Sequence, residues 1–175
     1  MFDGHGGAKI AASVSKNLHK HILRQPEYKD GDYVTAIKNG FLQCDESMRN
    51  DEALKDEMSG STAITCLIRG STLYANNVGD SRCIACVNGE AQALSVDHKP
   101  GDELERKRIE DAGGFVEFNR VNGNLALSRA LGDFVFKNNE DMPAEKQIVS
   151  GYPDVVTKEI TEDWEFILLA CDGIW

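Results

Sequence analysis

Residues 61–96 read STAITCLIRGSTLYANNVGDSRCIACVNGEAQALSV. Four short β-prone runs stand out, Ser61–Ile68, Thr72–Val78, Arg82–Val87 and Glu90–Val96, separated by Arg69-Gly70, Gly79-Asp80 and Asn88-Gly89. Asn-Gly is the strongest short-range hairpin signal, because both residues accept positive φ. The stretch therefore predicts an antiparallel meander. Upstream the period changes. Ile10, Val14, Leu18 and Ile22 recur every four positions, which predicts a helix over 6–24 blocked by Pro26. Val34, Ile37, Phe41, Cys44 and Met48 predict a second helix over 32–49, weakened by Gly40, with a polar helix end and loop over 45–60. Downstream, 102–112 reads as a charged helix ended by Gly113-Gly114. Residues 121–131 are mixed, 134–145 read as loop, and 155–160 and 165–171 as strands. Helices first and hairpins after them predict an α+β fold, with helices covering sheet layers.

The chain has 175 residues, with 19 Lys and Arg against 29 Asp and Glu, a formal charge of −10. With 41% hydrophobic and 27% charged residues it is an ordinary globular composition, which excludes collagen-like and largely disordered classes. The length suits one domain, over residues 1–175. No apolar run approaches the roughly 18 residues that cross a membrane. The acidic balance argues against a nucleic-acid surface and suits multivalent cations. Five cysteines, Cys44, Cys66, Cys83, Cys86 and Cys171, are an odd number and do not read as a disulfide framework. A reducing compartment, cytoplasmic or nuclear, and a monomer are expected. Both ends fall inside patterned segments, so the residues read as part of a longer domain.

Three segments could carry chemistry. Asp3-Gly4-His5-Gly6-Gly7 follows an apolar residue and precedes a helix. It suits a metal or phosphate site, or a tight strand-to-helix turn capped by Asp3. Gly79-Asp80-Ser81-Arg82 reads alone as a hairpin turn. In Ala170-Cys171-Asp172-Gly173 a buried strand, Phe166 to Ala170, delivers a carboxylate at its tip, which suits a rigid metal ligand or again a turn. Taken together, three aspartates just beyond apolar runs, beside glycine and without a Cys/His cluster, favour Mg²⁺ or Mn²⁺ over zinc. Cys83-Ile84-Ala85-Cys86 has CxxC spacing, but on a strand positions 83 and 86 face opposite ways. His19 and His21 read as surface residues, and His98 as a turn residue.

The segments in chain order resemble the metal-dependent protein serine/threonine phosphatases of the PP2C (PPM) family, eukaryotic branch. The resemblance is carried by Phe-Asp-Gly-His-Gly-Gly at 2–7, Gly-Ser-Thr-Ala at 60–63, Ala-Asn-Asn-Val-Gly-Asp-Ser-Arg at 75–82 and Asp-His-Lys-Pro at 97–100. It continues with Arg-Ile-Glu-Asp-Ala-Gly-Gly at 108–114, Arg-Val-Asn-Gly at 120–123, Leu-Ser-Arg-Ala-Leu-Gly-Asp at 127–133, Pro-Asp-Val at 153–155 and Ala-Cys-Asp-Gly-Ile-Trp at 170–175.

The resemblance implies a four-layer α-β-β-α sandwich of two antiparallel sheets flanked by helices, incomplete at both ends here. It implies a site holding two Mg²⁺ or Mn²⁺ ions, with Asp3 bridging, the Gly4 carbonyl and Asp172 as further ligands, and Asp80 with Asp172 holding a weaker third ion. His5 matches the general acid, Arg120 lies near the cleft as a substrate-binding residue, and 98–120 form a flap. The implied substrates are phosphoserine and phosphothreonine proteins, attacked by an ion-activated water. The family's upstream arginine and Glu/Asp pair, and its downstream Gly-x-Asp-Asn block, have no counterpart among these residues. Two other readings are a non-catalytic scaffold of the same fold, a pseudophosphatase, and a hydrolase of small phosphate esters. Keeping Asp3, His5, Asp80 and Asp172 argues against the scaffold.

Overall fold

A computed structural model describes all of residues 1–175. The chain opens with a short strand, β1 (Gly4–His5), and turns through Gly6 and Gly7 at φ of 68° and 151°. Those angles keep the two glycines out of the helix, so α1 spans Lys9–Arg24 rather than starting at residue 6. Gln25 is extended, yet Pro26 opens a further short helix, α2 (Pro26–Asp30), because a proline at the first helical position lacks only an N–H that has no partner there. Asp32 then caps α3 (Tyr33–Arg49) by accepting from the Thr35 N–H at 3.1 Å. The helix matches the predicted 32–49 closely and buries Asp45 within its polar last turns.

The four predicted runs form strands, but the meander splits: the first two pair as one hairpin and the last two as another in a separate sheet, so Gly79-Asp80 crosses between sheets instead of closing a hairpin. Strand β2 (Gly60–Ser61) leads into β3 (Ala63–Arg69), β4 (Thr72–Val78), β5 (Arg82–Val87) and β6 (Glu90–Ala93). The last is shorter than the 90–96 expected. Asn88 and Gly89 take φ of 50° and 76°, as a two-residue hairpin turn requires. Next come α4 (Glu103–Asp111), the small hairpin β7 (Val116–Glu117) and β8 (Arg120–Val121), and β9 (Leu131–Gly132). Short 3₁₀ turns at Phe134–Phe136 and Ala144–Lys146 interrupt the expected loop before β10 (Asp154–Glu159) and β11 (Trp164–Ala170).

All strand pairs are antiparallel. One sheet has the order β10-β4-β3, a second β11-β5-β6, and a small third β1-β2-β9. Helices α1 and α3 meet along Ile10, Val14, Leu18, Ile37, Phe41 and Met48, and cover Ala63 and Val78 of the first sheet. Gly40 lets them approach, since a Cβ there would lie 2.7 Å from the Cα of Ile22. Ile64, Leu73 and Ala75 on the other face of that sheet pack on Cys83, Ala85 and Val87 of the second. The chain thus builds the helical, sheet and sheet layers of the expected sandwich, while the outer face of the second sheet presents Phe166 and Leu168 to solvent. A satellite core of Ile109, Val121, Ala130 and Val149 sits under α4 and the β7–β8 hairpin. No helix is long and apolar enough to cross a membrane.

Candidate active site

Asp3 sits one residue before β1, and its backbone is tied from both sides to Thr62, between β2 and β3. Its carbonyl accepts from the Thr62 N–H at 2.9 Å, and its N–H donates to Thr62 Oγ1 at 3.3 Å. Thr62 Oγ1 also bonds Ser81 Oγ at 2.7 Å, in the turn that carries Asp80. Gly79 fits against Thr62 because it has no side chain, a Cβ there falling 2.7 Å from Thr62 Cγ2. One buried threonine therefore joins the two aspartate-bearing turns.

Asp172 arrives from the opposite end of the chain. Strand β11 pairs with β5, setting Ala170 opposite Arg82. The strand ends there, and a turn closed by the Ile174 N–H on the Cys171 carbonyl (3.1 Å) throws Asp172 clear of the sheet. Trp175 locks that turn by donating Nε1–H to the Ala170 carbonyl at 3.1 Å, while the Arg82 guanidinium lies 5.2 Å from its ring centroid. Ligand atoms of Asp3, Cys171 and Asp172 all lie within 4.8 Å of one another. Cys171 therefore lies beyond the strand, beside the carboxylates, and not within the strand as its apolar neighbours suggested. Two carboxylates this close repel unless a cation lies between them, and their oxygens suit hard divalent ions. The donor set fits Mg²⁺ or Mn²⁺; the soft thiol of Cys171 is a poorer match for either. The Gly4 backbone, in β1 next to Asp3, borders the same pair.

His5 belongs to the small sheet. β1 pairs with β2, and β2 with β9, so His5 lies opposite Gly60 and Gly60 opposite Gly132. This register brings His5 Nε2 to 2.6 Å from Oδ2 of Asp133, which is 4% exposed and left-handed at φ 49°. Gly60 is the floor of the pair: a Cβ there would stand 2.1 Å from Asp133 Oδ2 and 2.5 Å from His5 Nε2. Reading the sequence found His5 but gave Asp133 no role. The signal was there in the 127–133 block that ends on Asp133, but an aspartate after Leu131-Gly132 also reads as a turn.

The remaining residues have partners of their own. Asp80 receives Lys99 Nζ at 2.6 Å. His98, expected in a simple turn, is buried: its Nδ1 accepts from the Gly79 N–H at 3.1 Å, and its Nε2 meets Asp154 Oδ2 at 3.1 Å. That contact fixes the tautomer, with the proton on Nε2, and anchors the start of the flap to the Asp80 turn. The His98 hydrogen bond, with the Arg129 charge nearby, outweighs burial and holds the Asp154 carboxyl well below the usual range. Arg120, exposed on β8, donates Nη1–H to the Asn124 carbonyl at 2.6 Å and touches none of Asp3, His5 or Asp172.

Comparison with known proteins agrees with this architecture. A family model described as Protein phosphatase 2C matches residues 1–175. A probable protein phosphatase 2C of Caenorhabditis elegans is 56% identical over the whole chain, which covers 49% of that protein. Protein phosphatase 2C homolog 3 of Schizosaccharomyces pombe is 51% identical, again over the whole chain and 42% of its own length. The chain thus spans about half the length of the curated relatives it matches. Among solved structures, a C. elegans sex-determining protein superposes with TM-score 0.82 at 32% identity, over 99% of this chain and 42% of that one. A Toxoplasma gondii phosphatase gives 0.83 at 29% identity, over 99% of this chain and 67% of its own. Sequence and fold together show that the chain belongs to the protein phosphatase 2C family.

Proposed function

We propose that the protein containing this chain hydrolyses phosphoserine and phosphothreonine on protein substrates, using two Mg²⁺ or Mn²⁺ ions held in part by Asp3, Asp172 and the Gly4 carbonyl. The single observation that carries the reading is the convergence of Asp3 and Asp172, from the two ends of the sequence, to within 4.8 Å. Bound divalent ions would acidify an attacking water and offset charge on the phosphoryl oxygens. The chain's own residues do the rest. A seryl or threonyl alkoxide leaves poorly unless protonated, and an imidazole with an unperturbed pKa near 6.5 can supply that proton at neutral pH. With Nε2 of His5 bonded to Asp133, Nδ1 is the atom free to face the leaving oxygen. Asp133 holds the ring at that angle. Asp80 would enter a weaker third site only by exchanging its Lys99 partner for a cation. Arg120 could meet substrate only as the exposed tip of the flap.

The test uses the intact protein and a phosphopeptide. Asp172→Asn and Asp3→Asn should each lower kcat/KM by at least ~100-fold, the upper end of what loss of a supporting residue costs a metal site. In the 175-residue chain, saturating Mn²⁺ should raise the thermal midpoint of the wild type and leave Asp172→Asn unmoved. Normal turnover in either variant would refute the assignment. A folded intact protein with no turnover would instead favour a scaffold of the same fold.

A further inference from the structure

Two thiols face each other across the sandwich. Cys66 lies on β3 of the first sheet and Cys83 on β5 of the second, and their sulfurs are 3.6 Å apart. Both belong to the core between the sheets, with Ile64, Leu73 and Ala85 around them. The CxxC spacing had pointed elsewhere: Cys86 lies on the opposite face of β5 from the buried Cys83. β3 is an edge strand, and a groove of about 400 Å³ between it and α1, lined by Phe2, Leu18, Ile22 and Asn76, reaches Cys66. Cys83 is fully buried behind it.

We infer that Cys66 and Cys83 form a reversible disulfide that joins the two sheets when the protein meets a hydroperoxide, Cys66 being the thiol oxidised first. The Cys66 thiolate attacks one peroxide oxygen, breaking the O–O bond and releasing hydroxide, and becomes a sulfenic acid. Cys83 then attacks the Cys66 sulfur. The S–S bond forms, the S–O bond breaks, and water leaves with the Cys83 proton. A dithiol reverses the step by exchange. The 3.6 Å gap must close to about 2 Å, within reach of side-chain rotation and a small shift of an edge strand.

The difference in access within the pair supports the order of events: the groove reaches Cys66, whereas Cys83 is fully buried behind it. Oxidation of this kind in a reducing compartment is transient, which agrees with an odd cysteine count and no permanent framework.

The test is peptide mapping of the folded 175-residue chain after hydrogen peroxide and alkylation. Trypsin separates residues 56–69, holding Cys66, from the peptide that begins at Cys83 and also holds Cys86. The expected product is these two peptides joined, with loss of two hydrogens, and separated again by dithiothreitol. Cys86→Ser should keep the link and Cys83→Ser should abolish it. The linked chain should also unfold at higher urea concentration than the reduced chain. Because Cys83→Ser alters the core, its fold is checked by circular dichroism, and the wild-type map with Cys86→Ser decides the matter if it does not fold. Cys66 recovered as sulfinic acid, Cys66 alkylated in full, or a link from Cys66 to Cys86 would each overturn the proposal.

Discussion

Asp45 shows how one side chain can govern a distant turn. It is 8% exposed in α3, and its Oδ1 accepts the Gly132 N–H at 2.8 Å. Its Oδ2 holds Lys137 Nζ at 2.5 Å, and the same ammonium donates to the Ala130 carbonyl at 2.8 Å. Gly132 is the neighbour of Asp133, so a helix residue fixes the backbone on which the partner of His5 stands. Asp45→Ala would leave the Lys137 charge buried without its counter-ion and the Gly132 N–H unbonded. Such a loss costs about 3–5 kcal/mol. Urea unfolding should register a fall of that size; a change below ~1 kcal/mol would mean water replaces the carboxylate at no cost.

Among the elements, the α1–α3 pair sets two physical tendencies against each other. Replacing a mid-helix glycine by alanine ordinarily gains ~1 kcal/mol through helix propensity. At Gly40, however, the added Cβ would fall 2.7 Å from the Ile22 Cα and 2.8 Å from its nitrogen. Backbone cannot swing aside as a side chain can, so the helices must separate. We predict that Gly40→Ala destabilises the chain by ~1–3 kcal/mol, the usual cost of overpacking. A stabilised variant in equilibrium unfolding would show that the helices slide freely over the first sheet. The same glycine looked like a weakness of α3 in the sequence, and the packing explains why it is there.

Across the whole molecule, a buried charge network ties α4 to the strands. Glu105 takes Arg129 at 2.6 Å on one oxygen and Arg108 at 2.6 Å on the other. Arg129 continues to Asp154 on β10 at 2.8 Å, and Asp154 to His98. Burial alone would push the Glu105 carboxyl up; the two guanidiniums overcome it and hold the group at about 2. A depressed carboxyl contributes stability that is complete above its unfolded value near 4.3, and that fades as pH falls toward the folded value. The contribution at neutral pH is on the order of 3 kcal/mol. Urea midpoints of the wild type should therefore fall steeply from pH 4.3 to about 2. Those of Glu105→Gln should start lower and fall less over the same interval; parallel profiles would contradict the prediction.

Much of the fold lay open in the sequence. β4 and β5 occupy the β-prone runs that the turn residues marked off, because side-chain preference and the positive φ of Asn88-Gly89 act within a few residues. The glycine-flanked aspartates were visible for the same reason. Errors arose where tertiary contact overrides local tendency: the predicted meander, which divides between two sheets, and the buried His98. The meeting of Asp3 with Asp172, of His5 with Asp133, of Asp80 with Lys99 and of Cys66 with Cys83 was decided by the tertiary structure alone. Those contacts depend on the register of paired strands and the facing of two sheets, and no property of a residue's near neighbours specifies which distant side chain the folded sheet will set opposite it.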